Sequence, residues 1–355
     1  MSDSNDALGT VSTVGTVGTV STVSTVGTVG TVSTVSTVGT IRDIIGDKLV
    51  VVKPVIKWVG GKTQIIDKVI ANFPVDINNY REIFLGGGSV LLALLSYAKK
   101  DIIKIRGNIY AYDLNEPLIN IYKNIQSKHN ELYAELKHIV DDFGECGECD
   151  KHINRKAANI DEAKEAKENY YYWIRNKYNS LSAAEKNDVI GSAMLIFLNK
   201  TCFRGIFRVG PNGFNVPYGN YKNPEIINKN HLDIIHDLIK DVIFKCSDFR
   251  ESMINIEDGD FLYLDPPYVP EKNTSFVGYT KGGFDIANHN ELFAIIHTLK
   301  EKNIRMAMSN SDVEIIRNIF SANEYNYTIE TLVCKRSINS KNPDSKTNEV
   351  IIRNY

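Results

Sequence analysis

From about Asp47 onward the apolar residues fall into two alternating periods. Short runs, Tyr80–Leu85, Gly107–Tyr112, Val242–Lys245, Phe261–Leu264, Ile304–Met308 and Glu349–Arg353, predict strands, and the unbroken apolar run Phe261–Leu264 predicts a buried one. Between them, apolar residues recur at helical spacing: from Thr63 (Ile65, Ile66, Val69, Ile70), over Val90–Ala98, from Pro117 to about Val140, over Asp161–Tyr178 and over Asn288–Lys300. Strands alternating with helices predict an α/β fold, a Rossmann-like sheet with helices on both faces. Tyr170-Tyr171-Tyr172-Trp173, at the end of one helix, reads as helix packing rather than as a stacking platform.

The punctuation between these elements carries the chemistry. Gly86-Gly87-Gly88-Ser89 joins a strand to a helix, the layout of a nucleotide-type cofactor site, where small residues let a ligand approach the backbone. Asp113, at the tip of the next strand, suits ribose hydroxyls. The glycines do not spell the dinucleotide fingerprint, so an NAD-dependent oxidoreductase is disfavoured and a mononucleoside cofactor such as S-adenosyl-L-methionine fits better. Lys57-Trp58-Val59-Gly60-Gly61-Lys62 adds a tight turn and a cation at a helix start, an anion-attracting arrangement. Asp248-Phe249, after another strand, can hold an adenine by one hydrogen bond and one stack. Asp265-Pro266-Pro267-Tyr268 follows the buried strand, where open α/β sheets place ligands. Its prolines fix two carbonyls in one direction beside an aromatic face, which suits the exocyclic amine of a base taken out of its stack.

Composition narrows the classes. A hydrophobic fraction of 43% and a charged fraction of 24% describe a soluble globular protein. A net charge of −2 leaves nucleic-acid binding to a local patch. Asn199–Asn223 is such a patch: Lys200, Arg204, Arg208 and Lys222, no acid, and aromatic residues between them, with turn residues at Pro211-Asn212-Gly213. It reads as a β-hairpin whose basic and aromatic tip lies on DNA. Five scattered cysteines suit reduced thiols, and the Cys146-x-x-Cys149 pair reads as a polar loop, so no metal is expected. The absence of a long apolar run or a signal-peptide layout predicts an intracellular protein without a membrane segment. Thr10–Gly39, an unbroken Thr-Val-Ser or Thr-Val-Gly repeat, reads as a disordered and dispensable tail.

Together these motifs resemble the Dam-type, or D12 class, DNA adenine-N6 methyltransferases from about Val52 to the C-terminus. The match rests on Lys57–Lys62, Phe84–Ser89, Tyr112–Asn115, Gly213–Gly219 and Asp265–Tyr268, in the family's order. The repeat tail is outside the family pattern, and Asp141–Lys167 is longer and more polar than the pattern expects. The resemblance implies a catalytic domain of residues 47–115 and 241–355, following a tail of residues 1–46, with a mainly helical DNA target-recognition domain, 116–240, inserted between its halves. It implies a monomer that methylates N6 of adenine in double-stranded DNA by base flipping and direct transfer from S-adenosyl-L-methionine. Trp58, Lys62, Phe84, Gly86, Gly88, Asp113, Asp248, Phe249 and Asp265 are then the cofactor residues, and Asp265, Pro266, Pro267 and Tyr268 the catalytic ones. Lys57, Lys200, Arg204, Arg208, Asn212, Tyr218 and Lys222 are the DNA-binding candidates, with Arg204 expected on a base edge and Lys222 on phosphate. GATC stands first among candidate recognition sites, and membership of a restriction–modification pair is left open. An N4-cytosine methyltransferase and a non-catalytic DNA-binding protein on the same fold remain as alternatives. Replacing Asp265 by Ala is expected to remove methylation while leaving stability nearly intact.

Overall fold

A computed structural model describes residues 50–147, 153–270, 283–321, 326–335 and 346–355. The repeat tail and Cys149 therefore lie outside the described residues. Among the described residues seven strands form one sheet: β1 (Tyr80–Glu82), β2 (Ile109–Asp113), β3 (Val242–Cys246), β4 (Phe261–Leu264), β5 (Arg305–Ser311), β6 (Thr328–Lys335) and β7 (Lys346–Arg353). Their spatial order is β6-β7-β5-β4-β1-β2-β3. The β3-β2-β1-β4-β5 part is parallel, and β7 runs antiparallel between β5 and β6. The order reverses between β1 and β4, and at such a switch point the loops leaving the two strands diverge and open a crevice.

The helices in chain order are α1 (Ile66–Ile70), α2 (Ser89–Ala98), α3 (Glu116–Gly144), α4 (Ile160–Lys164), α5 (Lys167–Ser180), α6 (Ala183–Asn187), α7 (Val189–Thr201), α8 (Lys229–Ile239), α9 (Phe249–Ser252), α10 (Ile286–Glu301) and α11 (Glu314–Phe320). Two apolar layers show why the central strands need no polar face. Phe261, Tyr263, Ala111 and Ile351 pack with α2, α3 and α8 on one side. Leu262, Leu264, Met306, Val350 and Ile352 pack with α9, α10 and α11 on the other. Both faces of β4 are dry, hence its continuous apolar sequence.

Several expected bounds shift for local reasons. β1 is shorter than Tyr80–Leu85: Leu85 N–H still reaches β2 at the Tyr112 carbonyl, 2.7 Å, but the Leu85 carbonyl accepts from Gly88 N–H at 2.9 Å and closes the glycine turn. The expected helix Asp161–Tyr178 is two helices. Ala166 between them is extended, and the Lys164 carbonyl accepts from Gly147 N–H instead of continuing the ladder. The long α3 is interrupted at Lys128, whose φ/ψ are non-helical, next to Ser127, whose hydroxyl bonds back to the Lys123 carbonyl. The tyrosine cluster on α5 is core: Tyr170, Tyr171 and Tyr172 are all buried. Unassigned by periodicity, α7 is apolar on nearly every side and lies buried against α3. No helix among the described residues is long and apolar enough to cross a membrane.

The hairpin expected across Asn199–Asn223 is present in short pieces: Val209–Gly210 pairs with Gly213–Phe214, and Cys202 bridges antiparallel to Tyr218, with Phe203 N–H on the Pro217 carbonyl at 2.8 Å. Arg204 does not begin it; it sits in a separate 3₁₀ turn, Phe203–Gly205, with φ +58°. The Tyr221 hydroxyl accepts from Arg204 N–H at 2.8 Å and so holds that turn.

Candidate active site

The strand ends at the switch point enclose a cavity of about 320 Å³. Its wall includes Trp58, Lys62, Phe84, Gly86, Asp113, Asp248, Phe249, Asp265, Pro266, Pro267 and Tyr268, residues that the sequence singles out from five separate stretches. Gly88 is not on the wall. It has φ +73°, and a Cβ there would fall 2.4 Å from the Tyr122 hydroxyl, which donates to the Gly87 carbonyl at 2.6 Å. Its role is to let α2 start against a buried tyrosine. Gly88→Ala should therefore cost about 2–4 kcal/mol in urea unfolding, from left-handed strain plus overpacking. The loss should be smaller in a Tyr122→Phe background, and equal losses in both backgrounds would exclude the hydroxyl clash.

Gly86 and Gly87 are needed for another reason. A side chain at Gly86 would meet the Trp58 indole at 2.9 Å and one at Gly87 the Trp58 Cβ at 2.7 Å, so the glycine turn is a seat for Trp58. Asp113 is tied to that turn: its carboxylate accepts from Gly86 N–H at 2.8 Å and Asn115 N–H at 2.9 Å. Burial nevertheless pushes the Asp113 carboxyl above its usual range. Phe84, Phe249 and Phe284 form an aromatic corner with centroids 5.7 to 6.1 Å apart. Asp248 caps α9 through Arg250 N–H and is paired with the Arg250 guanidinium at 3.0 Å, while Arg250 also grips Glu291 at 2.6 Å and Asn288 at 2.8 Å. Phe284 and Asn288 also line the wall, and neither carried a motif signal. Glu82 also lines it, and its signal was available: a carboxylate at a strand end before a glycine turn.

At the edge of β4, Lys62 Nζ lies 2.6 Å from Asp265 Oδ2 and donates also to the Gly60 carbonyl at 2.6 Å. The lysine side chain is 4% exposed and the aspartate 19%. Burial raises the Asp265 carboxyl to about 6 even though Lys62 opposes the shift. Glu82, fully buried and beside Asp265 and Asp113, is driven well above the carboxylate range by desolvation, against the hydrogen bond from Tyr80. Among the described residues the site is therefore an acid-lined cavity with one buried cation, Lys62. Val269, just after the tetrapeptide, is pinned by β5: its N–H donates to Asn310 Oδ1 at 3.1 Å and its carbonyl accepts from Ser311 Oγ at 2.6 Å.

The basic segment is joined to this cavity from the outside. Buried Asn199 accepts from Lys57 N–H at 2.7 Å and donates to the Lys57 carbonyl at 2.8 Å and the Gly205 carbonyl at 3.2 Å. Trp58 stacks on Phe207 at 5.7 Å, and Lys57 Nζ lies 4.1 Å over the Tyr221 ring. Lys57, Arg204, Arg208, Asn212 and Lys222 are exposed, whereas Lys200 is half-buried and burial lowers its pKa. Tyr218 is apart from them, half-buried against Tyr171 and Phe143. Arg208 is braced by Asn215 at 2.6 Å.

A largely parallel sheet with an antiparallel β7, a cavity at its switch point and a carboxylate–prolyl edge at β4 is the architecture of a methyltransferase. A family model described as D12 class N6 adenine-specific DNA methyltransferase matches residues 58–333, and the chain belongs to that family. It is 35% identical over 318 residues to the type II methyltransferase M.MjaIII of Methanocaldococcus jannaschii, covering 86% of this chain and 99% of that relative. It is 28% identical over 308 residues to the type II methyltransferase M1.LlaDCHI of Lactococcus lactis subsp. cremoris (85% and 95%). To a DNA adenine methylase of Haemophilus influenzae it is 27% identical over 300 residues (83% and 90%). The chain is thus an adenine-specific DNA methyltransferase, which sets aside the cytosine, oxidoreductase and non-catalytic readings.

Proposed function

We propose that the protein methylates N6 of an adenine flipped out of double-stranded DNA, with S-adenosyl-L-methionine as donor. The observation that carries this reading is the convergence of Asp265, Pro266 and Tyr268 on the same cavity as the aromatic corner and Asp113. The cavity fits the donor: its volume suits a small ligand, the corner formed by Phe84, Phe249 and Phe284 suits an adenine ring, and Asp113 suits a ribose. Trp58, Lys62, Gly86, Asp248 and Asp265 complete that set. When bound, the donor supplies an electrophilic methyl group on a sulfonium.

The chain's own residues then act on the base. In a duplex N6 is engaged in pairing, so the adenine must leave the stack to reach Asp265. Asp265 and the Pro266 carbonyl accept the two N6 protons and so orient the nitrogen lone pair, while Tyr268 offers its ring to the base. Lys62 holds the carboxylate in place. Positioning and preset charge supply most of the rate.

Residues 116–240 are read as the target-recognition part, supported by the placement of all seven strands of the main sheet outside that span, although α3 and α8 pack on its face. Exposed Arg204, its backbone held in a left-handed turn, is the base-contact candidate, and Lys222 the phosphate one. Duplex DNA treated with labelled cofactor should yield N6-methyladenine, and single-base sequencing should give one short motif. Arg204→Ala should relax that motif at one position, worth roughly 1–3 kcal/mol. An unchanged motif removes Arg204 from base readout, and label outside adenine N6 defeats the reading.

A further inference from the structure

We infer that Glu349 is a positioning residue for methyl transfer, drawing the Tyr268 hydroxyl away from Asp265 so that the carboxylate stays open to the adenine amine. This deepens the proposed function and rests on it. Tyr268 has one hydroxyl proton, and it goes to Glu349 Oε2 at 2.7 Å. Glu349 reaches the site from β7, where it stands opposite Ser311 of β5 and Leu332 of β6, far in sequence from every motif. The hydroxyl also lies close enough to Asp265 to favour the ionised carboxyl there. Two carboxylates thus flank one donor.

The competition matters because acceptor positions on Asp265 are few. Lys62 already occupies Oδ2 at 2.6 Å. If Glu349 were absent, the Tyr268 proton would turn to the remaining nearby carboxylate, since a buried hydroxyl left without an acceptor is costly. The acceptor meant for N6 would then be filled from within the protein. Glu349 also fixes the tilt of the ring on which the base is to stack, while Lys62 Nζ lies 5.0 Å from that ring's centroid.

Among the described residues, the charged and titratable groups around Asp265 are Lys62 from the N-terminal turn, Tyr263 on β4, Tyr268, Glu349 on β7 and Glu82 on β1, with the Cys334 thiol of β6 next to Glu349. Losing Glu349 removes a charge that raises the Asp265 pKa and lets the Tyr268 hydroxyl, which already lowers it, turn fully to that carboxylate. Both effects move the acid limb of the pH–rate profile downward.

The test is a cycle of Glu349→Ala, Glu349→Gln, Tyr268→Phe and the Tyr268→Phe/Glu349→Ala double variant, each assayed for kcat and KM on duplex DNA, with melting temperature recorded. Glu349→Ala should lower kcat roughly tenfold, the scale of one misdirected charge-assisted hydrogen bond, with little change in KM. Its acid limb should shift down. Glu349→Gln, which keeps an acceptor oxygen, should recover most of the rate. In the Tyr268→Phe background Glu349→Ala should have no further effect, because no hydroxyl remains to misdirect. An equal loss with Tyr or Phe at 268, or an unmoved acid limb, overturns the inference. Asp265→Ala is run alongside: methylation surviving that change defeats the functional reading itself, whereas a dead Asp265→Ala with an additive cycle defeats only the role of Glu349.

Discussion

Asp265→Ala should reduce methyl transfer by at least about 10²–10³-fold, the effect of removing one preorganised electrostatic partner from a dry site. The variant should still bind DNA, since it keeps the exposed cations at Lys57, Arg204, Arg208 and Lys222. Stability, however, should not be unaffected, contrary to the expectation drawn from sequence alone. Lys62 is 4% exposed and would lose its carboxylate partner at 2.6 Å, leaving a buried cation with the Gly60 carbonyl. Removing one member of a fully buried pair costs roughly 3–5 kcal/mol. Here the opening to the cavity admits water to Asp265, so a loss of about 1–3 kcal/mol is expected. Single-turnover methylation and urea unfolding measure the two effects separately. Wild-type turnover in the variant would remove Asp265 from the chemistry, and an unchanged unfolding midpoint would remove the ion pair from the stability.

The pH dependence of the wild type should follow the same carboxyl group. Asp265 must be ionised to accept the N6 protons, and its folded pKa is raised to about 6, first by burial, with Lys62 holding it down. The single-turnover rate should therefore fall about tenfold per unit below pH 6, far above the pH at which an exposed aspartate would titrate. Unfolding by this group is not the cause. A carboxyl whose pKa is raised on folding contributes stability that is greatest below its unfolded pKa and is lost as pH rises through about 6. Lys62→Met removes the opposing charge and hydrogen bond, so the acid limb should move upward, opposite to the shift for Glu349→Ala. An unchanged acid limb in Lys62→Met would show that another group controls it.

Local signals were legible where one residue type has one physical use. Phe261–Leu264 is apolar at every position because both its faces are covered, and Pro266 and Pro267 set the chain's exit whatever surrounds them. The glycine turn was legible too, but not the purpose of each glycine: Gly86 and Gly87 seat Trp58, and Gly88 accommodates Tyr122, which is 34 residues further on. The basic segment announced itself by composition, yet its conformation did not follow. Asn199, Tyr221 and Asn215 hold its backbone and side chains through bonds that no periodicity encodes, so the hairpin is broken into a 3₁₀ turn and short pairings, Cys202 with Tyr218 and Val209–Gly210 with Gly213–Phe214.

By itself the sequence determined the alternation of strands and helices, the five motifs and the family they resemble. The tertiary structure alone decided which strands became neighbours, and with that which charges face one another. Lys62 and Asp265 are 203 positions apart, and Tyr268 and Glu349 are 81 apart. Each pair meets only because β4 lies between β1 and β5, with β7 beyond β5. The raised pKa of Asp265 and the direction of the Tyr268 hydroxyl arise from burial and neighbouring charge, which depend on distance through space rather than along the chain.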